Sequence, residues 1–191
     1  MRRVIIALTL LLGLSTTATA KHHPTWLKDA VIYHIYPSTY MDSDGDGIGD
    51  LKGITSRLDY IRECGFNSIW MSPCFASAWQ DGGYDIIDFY KVDPRFGTND
   101  DLKTLIDTAH SKGIKVLLDL VAGHTSNKHP WFKESCKADK NAYSDYYIWT
   151  VGKNYKKPGP KFVNNNYPRD GYYIRHFFEI QPALNYGYYN P

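Results

Sequence analysis

The sequence is short of cysteine, of net charge and, beyond its first twenty residues, of long apolar runs. Its three cysteines, Cys64, Cys74 and Cys136, form no Cys-x-x-Cys pair, which argues against a structural zinc site. An odd number leaves at least one of them without an intramolecular partner. Cys64 and Cys74 are expected at opposite ends of one strand, beyond the roughly 4.4–6.8 Å that a disulfide spans between α-carbons. Both read as small buried hydrophobes. With 22 basic and 20 acidic residues the net charge is +2, and no basic stripe is present. That excludes the electrostatic footprint of a nucleic-acid binder.

The one long apolar stretch is N-terminal. "MRRVIIALTLLLGLSTTATA" opens on two arginines, runs apolar from Val4 to Leu14 and closes on Ala18-Thr19-Ala20, a small-residue cleavage pattern. The apolar part is too short for a transmembrane anchor and polar residues follow it at once. Residues 1–20 are therefore expected to be a signal peptide, cut before Lys21. The mature protein is expected to be secreted or periplasmic, with no membrane association after cleavage.

What the sequence has in plenty is aromatics, 15% of residues including 16 tyrosines, many of them in the last third. Such rings stack on sugars or simply pack against one another, and composition leaves both open. Ahead of them lies a regular pattern. "AVIYHIY" (30–36) reads as a strand buried on both faces. "GITSRLDYIRECG" (53–65) carries Ile54, Leu58 and Ile61 at helical spacing with Gly65 as a stop. "NSIWMSP" (67–73) is a second buried strand. "TNDDLKTLIDTAHSKG" (98–113) is a helix with Leu102, Leu105, Ile106 and Ala109 on one face, Thr98 as N-cap and Gly113 as C-cap. "KVLLDLV" (115–121) is a third strand. Strand, helix, strand, helix, strand predicts a parallel sheet with crossover helices. From Ala122 onward the pattern stops, apart from a short helix expected around Trp131 to Lys137.

Three segments carry chemistry. In "MDSDGDGIGD" (41–50) carboxylates alternate with glycines, the wording of an oxygen-only site for a hard cation. Asp42, Asp44 and Asp46 fit positions 1, 3 and 5 of an EF-hand loop, Ile48 offers its carbonyl at 7 and Asp50 stands at 9. Position 12 is Gly53 rather than Glu, and a strand precedes the loop, so it is no EF-hand. Thrombospondin-type repeats use similar wording, but in tandem and with regular cysteines. An acidic turn that binds nothing is the remaining alternative, and crowded carboxylates repel one another without a cation. Calcium suits the ligand set, with magnesium as competitor.

In "WQDGGYDIIDFYKVDPRFGT" (79–98), two glycines beside Asp81 and Tyr84 place a carboxylate next to a ring, a common way to hold a hexose; a surface turn with a capping Asp is the other reading. "LLDLVAGHTS" (117–126) ends a strand on Asp119 and His124, where a (β/α)8 barrel presents its active-site groups. His124 is also open to a structural role, or to a weak zinc pairing with His129.

Taken together, these segments resemble the N-terminal part of an α-amylase-type glycoside hydrolase (family 13), in its oligo-1,6-glucosidase and α-glucosidase branch. "VIYHIYPSTYMDSDGDGIGDLKGI" is similar to that family's first strand and metal loop and "GFNSIWMSPCF" to its second strand. "DGGYDIIDFYKVDPRFGT" is similar to its sugar-subsite loop and "DLVAGHTSNKHPWF" to its third-strand region. "QPALNYGYYNP" resembles the motif, usually QPDLN, that closes the inserted domain B. The resemblance implies an α/β fold: the first three strands of a (β/α)8 TIM barrel over residues 21–124, then domain B over 125–191. It implies a structural calcium or magnesium held by Asp42, Asp44, Asp46, the Ile48 carbonyl and Asp50. It further implies an α-glucoside oligosaccharide substrate whose −1 glucose meets Asp81, Tyr84 (by stacking) and His124. Two positions depart from the motifs: Gly123 stands where Asn is usual, and Ala183 where QPDLN has Asp. The family's catalytic Asp on strand four, Glu on strand five and Asp on strand seven have no matching positions here. Arg169-Asp170 does not fit the Arg-x-Asp motif. The chain by itself is expected to be inactive. Within the same resemblance, a transglycosylating or isomerising relative of the sucrose or trehalose isomerase type, and a dead sugar-binding remnant, are the alternatives.

Overall fold

A computed structural model of the protein describes residues 24–150, 161–163 and 166–187. The expected signal peptide and its cleavage site lie outside the described residues. Contacts divide the chain into Met1–Ala30 and Val31–Pro191. In the first unit the described residues form a 3-10 helix, Thr25–Asp29, in which the Leu27 N–H bonds the Pro24 carbonyl at 3.1 Å.

The second unit begins with strand β1 (Ile32–Ile35), a short helix α1 (Pro37–Tyr40), helices α2 (Leu51–Ser56) and α3 (Leu58–Glu63), and strand β2 (Ser68–Met71). A hairpin of β3 (Phe75–Ser77) and β4 (Ile86–Val92) follows, then helix α4 (Asn99–Ser111) and strand β5 (Lys115–Leu118). The three strands expected from sequence are β1, β2 and β5. They form one parallel sheet in the order β1-β2-β5, with Ile32, Ser68 and Lys115 in register. Beyond it come helix α5 (Pro130–Ser135), inside the segment expected to be helical, and a two-stranded ribbon of β6 (Phe162–Val163) and β7 (Tyr173–Ile174).

Apolar residues at strand and helix periods collect on one side as the core. Ile35, Ile69 and Met71 from the sheet meet Leu51, Ile54, Leu58, Ile61, Leu105 and Ala109 from the helices, all at 1% exposure or less. Helix α4 starts on a capping box, the Thr98 and Asp101 side chains each bonding the other's backbone N–H.

Four expectations need correction. The helix read across 53–65 is broken at Arg57 (φ −104°, ψ 4°). The Thr55 and Ser56 hydroxyls bond back to the Leu51 and Gly53 carbonyls, and the Arg57 N–H turns to the Ile54 carbonyl, so the first helix closes in a 3-10 turn. Ile54, Leu58 and Ile61 still share the buried face. Strand β1 is not buried on both sides: Val31 and Ile32 are exposed, because β1 is an edge of the described sheet. Strand β5 stops at Leu118 and leaves Asp119 just past its end. Cys74 is buried as expected, but Cys64, capping the outer end of α3, is exposed.

The aromatic third of the chain has its own core. Phe132 stacks on Trp149 (centroids 5.8 Å apart, planes at 9°) and meets the edges or faces of Tyr147, Tyr167 and Tyr173 at 5.0–5.6 Å. Arg169 reaches into this region, its guanidinium 4.6 Å from the Trp149 ring centroid and donating to the Ser135 and Ser144 carbonyls. That pairing gives Arg169 a packing role.

Candidate functional site

The acidic loop folds on its own hydrogen bonds. Asp42 accepts through Oδ1 from the Asp44 and Gly45 N–H groups (3.1 and 2.7 Å) and through Oδ2 from Gly47 (2.8 Å). Gly45 and Gly47 sit at φ 85° and 89°, which this winding requires. Asp50 is the N-cap of α2: its Oδ1 takes the Gly53 N–H at 2.7 Å and the Ser43 hydroxyl at 2.9 Å, and its Oδ2 the Ser43 N–H at 2.8 Å. The N–H groups of Gly47 and Gly45 hold the Asp42 carboxyl below its ordinary range. At Asp50 burial acts in the opposite direction, and the donors of Gly53 and Ser43 outweigh it, so its carboxyl too is lowered.

Asp42, Asp44 and Asp50 each bring a carboxylate oxygen within 4.8 Å of the others. Asp46 stands outside that trio, its Oδ1 accepting the Ile48 N–H at 2.7 Å, while the Ile48 side chain packs against the barrel core. The donor set is oxygen-only and ionised, and a carboxylate oxygen already taking an N–H keeps lone pairs for a cation. These residues fit a hard divalent ion. His129, the weak zinc alternative, is otherwise engaged: it caps α5, Nδ1 accepting the Trp131 N–H at 3.1 Å.

The second group gathers at the C-terminal ends of β2 and β5. The fully buried Asp85 shapes the loop between β3 and β4, accepting from the Ser77 hydroxyl and from the Gln80 and Asp81 N–H groups at 2.8–3.2 Å. Against this frame the Asp81 carboxylate accepts from Gln181 Nε2 at 2.6 Å, across a hundred residues. The Tyr84 hydroxyl donates to Asp119 Oδ2 at 2.7 Å, and its backbone carbonyl faces His124 Nε2 at 3.0 Å. His124, 3% exposed, also lies 3.0 Å from His176 through the two Nδ1 atoms. Burial lowers the proton affinity of His124, and His176 lowers it further; the Tyr84 carbonyl, Asp81 and Asp85 act the other way. Phe177 closes one side, its ring 5.7 Å from that of His124.

Asp81, Tyr84 and His124 are thus brought together. Asp85, His176 and Gln181 were not singled out from the sequence. Gln181 sits in the quoted "QPALN", but nothing in its spacing links it to Asp81, and no local signal marks Asp85 or His176.

The sequence model of the alpha-amylase catalytic domain matches residues 34–190. The chain belongs to the alpha-amylase family. An oligo-1,6-glucosidase of Parageobacillus thermoglucosidasius is 46% identical over 168 residues, 84% of this chain and 30% of that protein. The trehalose synthase/amylase TreS of Mycobacterium tuberculosis is 44% identical over 171 residues, 85% of this chain and 28% of that one. Among solved structures, the trehalulose synthase MutB from Pseudomonas mesoacidophila MX-45 superposes with a TM-score of 0.79 at 37% identity, covering 86% of this chain and 31% of its own. This chain therefore spans under a third of the length of these relatives. The β1-β2-β5 sheet is the N-terminal part of the family's (β/α)8 barrel.

Proposed function

We propose that the chain is the N-terminal portion of an exported, retaining α-glucosidase of the alpha-amylase family, acting on α-glucosidic bonds of oligosaccharides. The observation that carries this is the cluster of Asp81, Tyr84 and His124 at the C-terminal strand ends, with Gln181 fixing the carboxylate. A hexose hydroxyl meets an ionised acceptor at Asp81 and the sugar's apolar face meets Tyr84. Retention requires two further carboxylates about 5–5.5 Å apart, one attacking the anomeric carbon and one protonating the leaving oxygen. These residues are expected outside the motifs of this chain, whose part is to bind and orient the −1 glucose.

Asp42, Asp44 and Asp50 would hold one calcium or magnesium ion, with Asp46 and the Ile48 carbonyl as further ligands. That ion braces the loop ahead of α2 and supplies no chemistry to the sugar. Export rests on the N-terminal pattern of residues 1–20. Transglycosylation or isomerisation is the second reading, favoured by the similarity to the trehalulose and trehalose synthases. A dead sugar-binding remnant is a third. The complete natural protein, incubated with maltose, isomaltose, sucrose and trehalose, separates them. Release of α-glucose supports the hydrolase, and a rearranged disaccharide the isomerase. Turnover of none of the four overturns both enzymatic readings and leaves the remnant.

A further inference from the structure

Gly123 has no left-handed backbone to explain it, so the reason for a glycine there is space. A Cβ at 123 would lie 2.4 Å from Cε1 and 2.6 Å from Nδ1 of His176. No real Cβ tolerates either approach. The imidazole of His176 occupies the volume where a side chain at 123, such as the Asn of the resembling motif, would begin.

That imidazole has a specific partner. The Tyr84 carbonyl only accepts, so the His124 nitrogen facing it at 3.0 Å, Nε2, must carry a hydrogen. In a neutral ring the remaining Nδ1 is then a lone pair. Its neighbour at 3.0 Å, His176 Nδ1, must be the donor. Two N–H groups cannot face each other across that gap. A proton added to the pair therefore finds its open lone pair at Nε2 of His176, an exposed residue.

We propose that His176 is a positioning residue that fixes His124 as its neutral Nε2–H form, and that Gly123 is glycine because it admits the His176 ring. For its consequence this rests on the sugar-binding reading of His124: the ring beside the −1 glucose is then held uncharged and in one orientation, with its Nε2–H given to the Tyr84 carbonyl and its Nδ1 accepting from His176. The pairing itself stands on the two rings and the glycine. The titratable groups facing His124 are His176, Asp81 and Asp85, and burial opposes its protonation. Burial opposes the charged ring most and His176 adds to that opposition, while the Tyr84 carbonyl, Asp81 and Asp85 favour it.

The test is 15N-histidine labelling of the complete protein, with long-range 1H–15N spectra from pH 5 to 8 and His124 assigned by its loss in His124→Gln. His124 of the unmodified protein is expected as the Nε2–H form, taking up a proton only below the ordinary imidazole range. In His176→Leu its proton affinity should rise about tenfold, one unit of titration midpoint. His176→Asn should restore the original behaviour, because an amide N–H can still donate to Nδ1. Gly123→Ala should mimic His176→Leu, since the displaced ring can swing to solvent without disturbing the fold. Gly123→Ala added to His176→Leu should then change nothing more. An Nδ1–H form of His124 in the unmodified protein, or equal titration with and without His176, would overturn the pairing. So would a Gly123→Ala shift as large in the His176→Leu background. Glucosidase assays of the same proteins speak to the functional reading alone: a protein without turnover whose His124 titrates as expected sinks that reading and leaves the pairing intact.

Discussion

The acidic loop and the sugar-side cluster are built in opposite ways. Between Asp42 and Asp50 six of the eight carboxylate oxygens are met by an N–H two to seven residues away, so the loop is specified by neighbouring residues. In the cluster, Tyr84 meets Asp119 over 35 positions, His124 meets His176 over 52, and Asp81 meets Gln181 over 100. Those bonds exist only after β2, β5 and the aromatic segment have packed. The loop therefore depends on local charge and glycine, and the cluster on the whole fold.

Acid should separate the two regions most strongly. Burial pushes the His129 imidazole down to about 4, with Asp88 opposing weakly, and its unprotonated Nδ1 caps α5 beneath the aromatic core. A depressed histidine stabilises fully above its unfolded value and loses that contribution as pH falls towards the folded one. Between pH 6.5 and 4 the aromatic segment should lose at most about 3 kcal/mol. The loop carboxylates Asp42 and Asp50 are lowered instead, so their contribution persists until pH drops below the ordinary carboxylate range. Thermal melts of the complete protein from pH 7 to 4.5 should show the decline, and His129→Asn, a cap that does not titrate, should flatten it. An unchanged slope in His129→Asn would remove this contrast.

Next in size is the effect on catalysis. Asp81→Ala deletes a carboxylate held for a sugar hydroxyl, and a hydrogen bond to a charged group is worth about 1.5–3 kcal/mol. The complete enzyme should lose about 100-fold in kcat/KM on an α-glucoside. Gln181→Ala, which only releases Asp81, should lose less. Equal losses would mean that Asp81 acts through the fold and not on the sugar.

The same contrast explains what the sequence made legible. The barrel portion could be read because its apolar residues recur at strand and helix periods, and Thr98 announces a helix start. Within it, Arg57 was missed because two serine-type hydroxyls bonding backwards leave the apolar spacing of Ile54, Leu58 and Ile61 intact. The hairpin of β3 and β4 was missed because its register shifts between Phe75 and Ser77 and so no clean alternation survives. Asp81, Tyr84 and His124 came into view through the segments they sit in. Their partners did not, since no spacing connects Asp81 to Gln181 or Gly123 to His176. The aromatic core around Phe132 has no period at all, being assembled from single rings on α5, β7 and the loops.

Asp50→Ala tests the loop as a structural brace. It removes the cap on α2 together with both Ser43 bonds, and should cost about 2 kcal/mol even without a divalent ion. Chemical denaturation in chelator should show that loss, and calcium should enlarge it, because Asp50 is also one of the three carboxylates placed to hold the ion. A loss confined to calcium would make Asp50 a ligand first and a cap second.

The smallest expected effect is the most specific. Asp44 is exposed and accepts a single backbone N–H, that of Asp46 at 3.2 Å, whereas Asp42 accepts three. In chelator, Asp44→Ala should therefore stay within about 0.5 kcal/mol of the unmodified protein, as surface substitutions do. With calcium present the position matters, because its oxygen is one of three within 4.8 Å of each other. Losing one ionised ligand should weaken the ion about tenfold, removing about 1.4 kcal/mol of the calcium-dependent stabilisation. Calorimetric titration of calcium into the complete protein and its Asp44→Ala variant reads that difference directly, while Asp81→Ala should titrate as the unmodified protein does. An Asp44→Ala variant that binds calcium as well as the unmodified protein would remove Asp44 from the ligands of the ion.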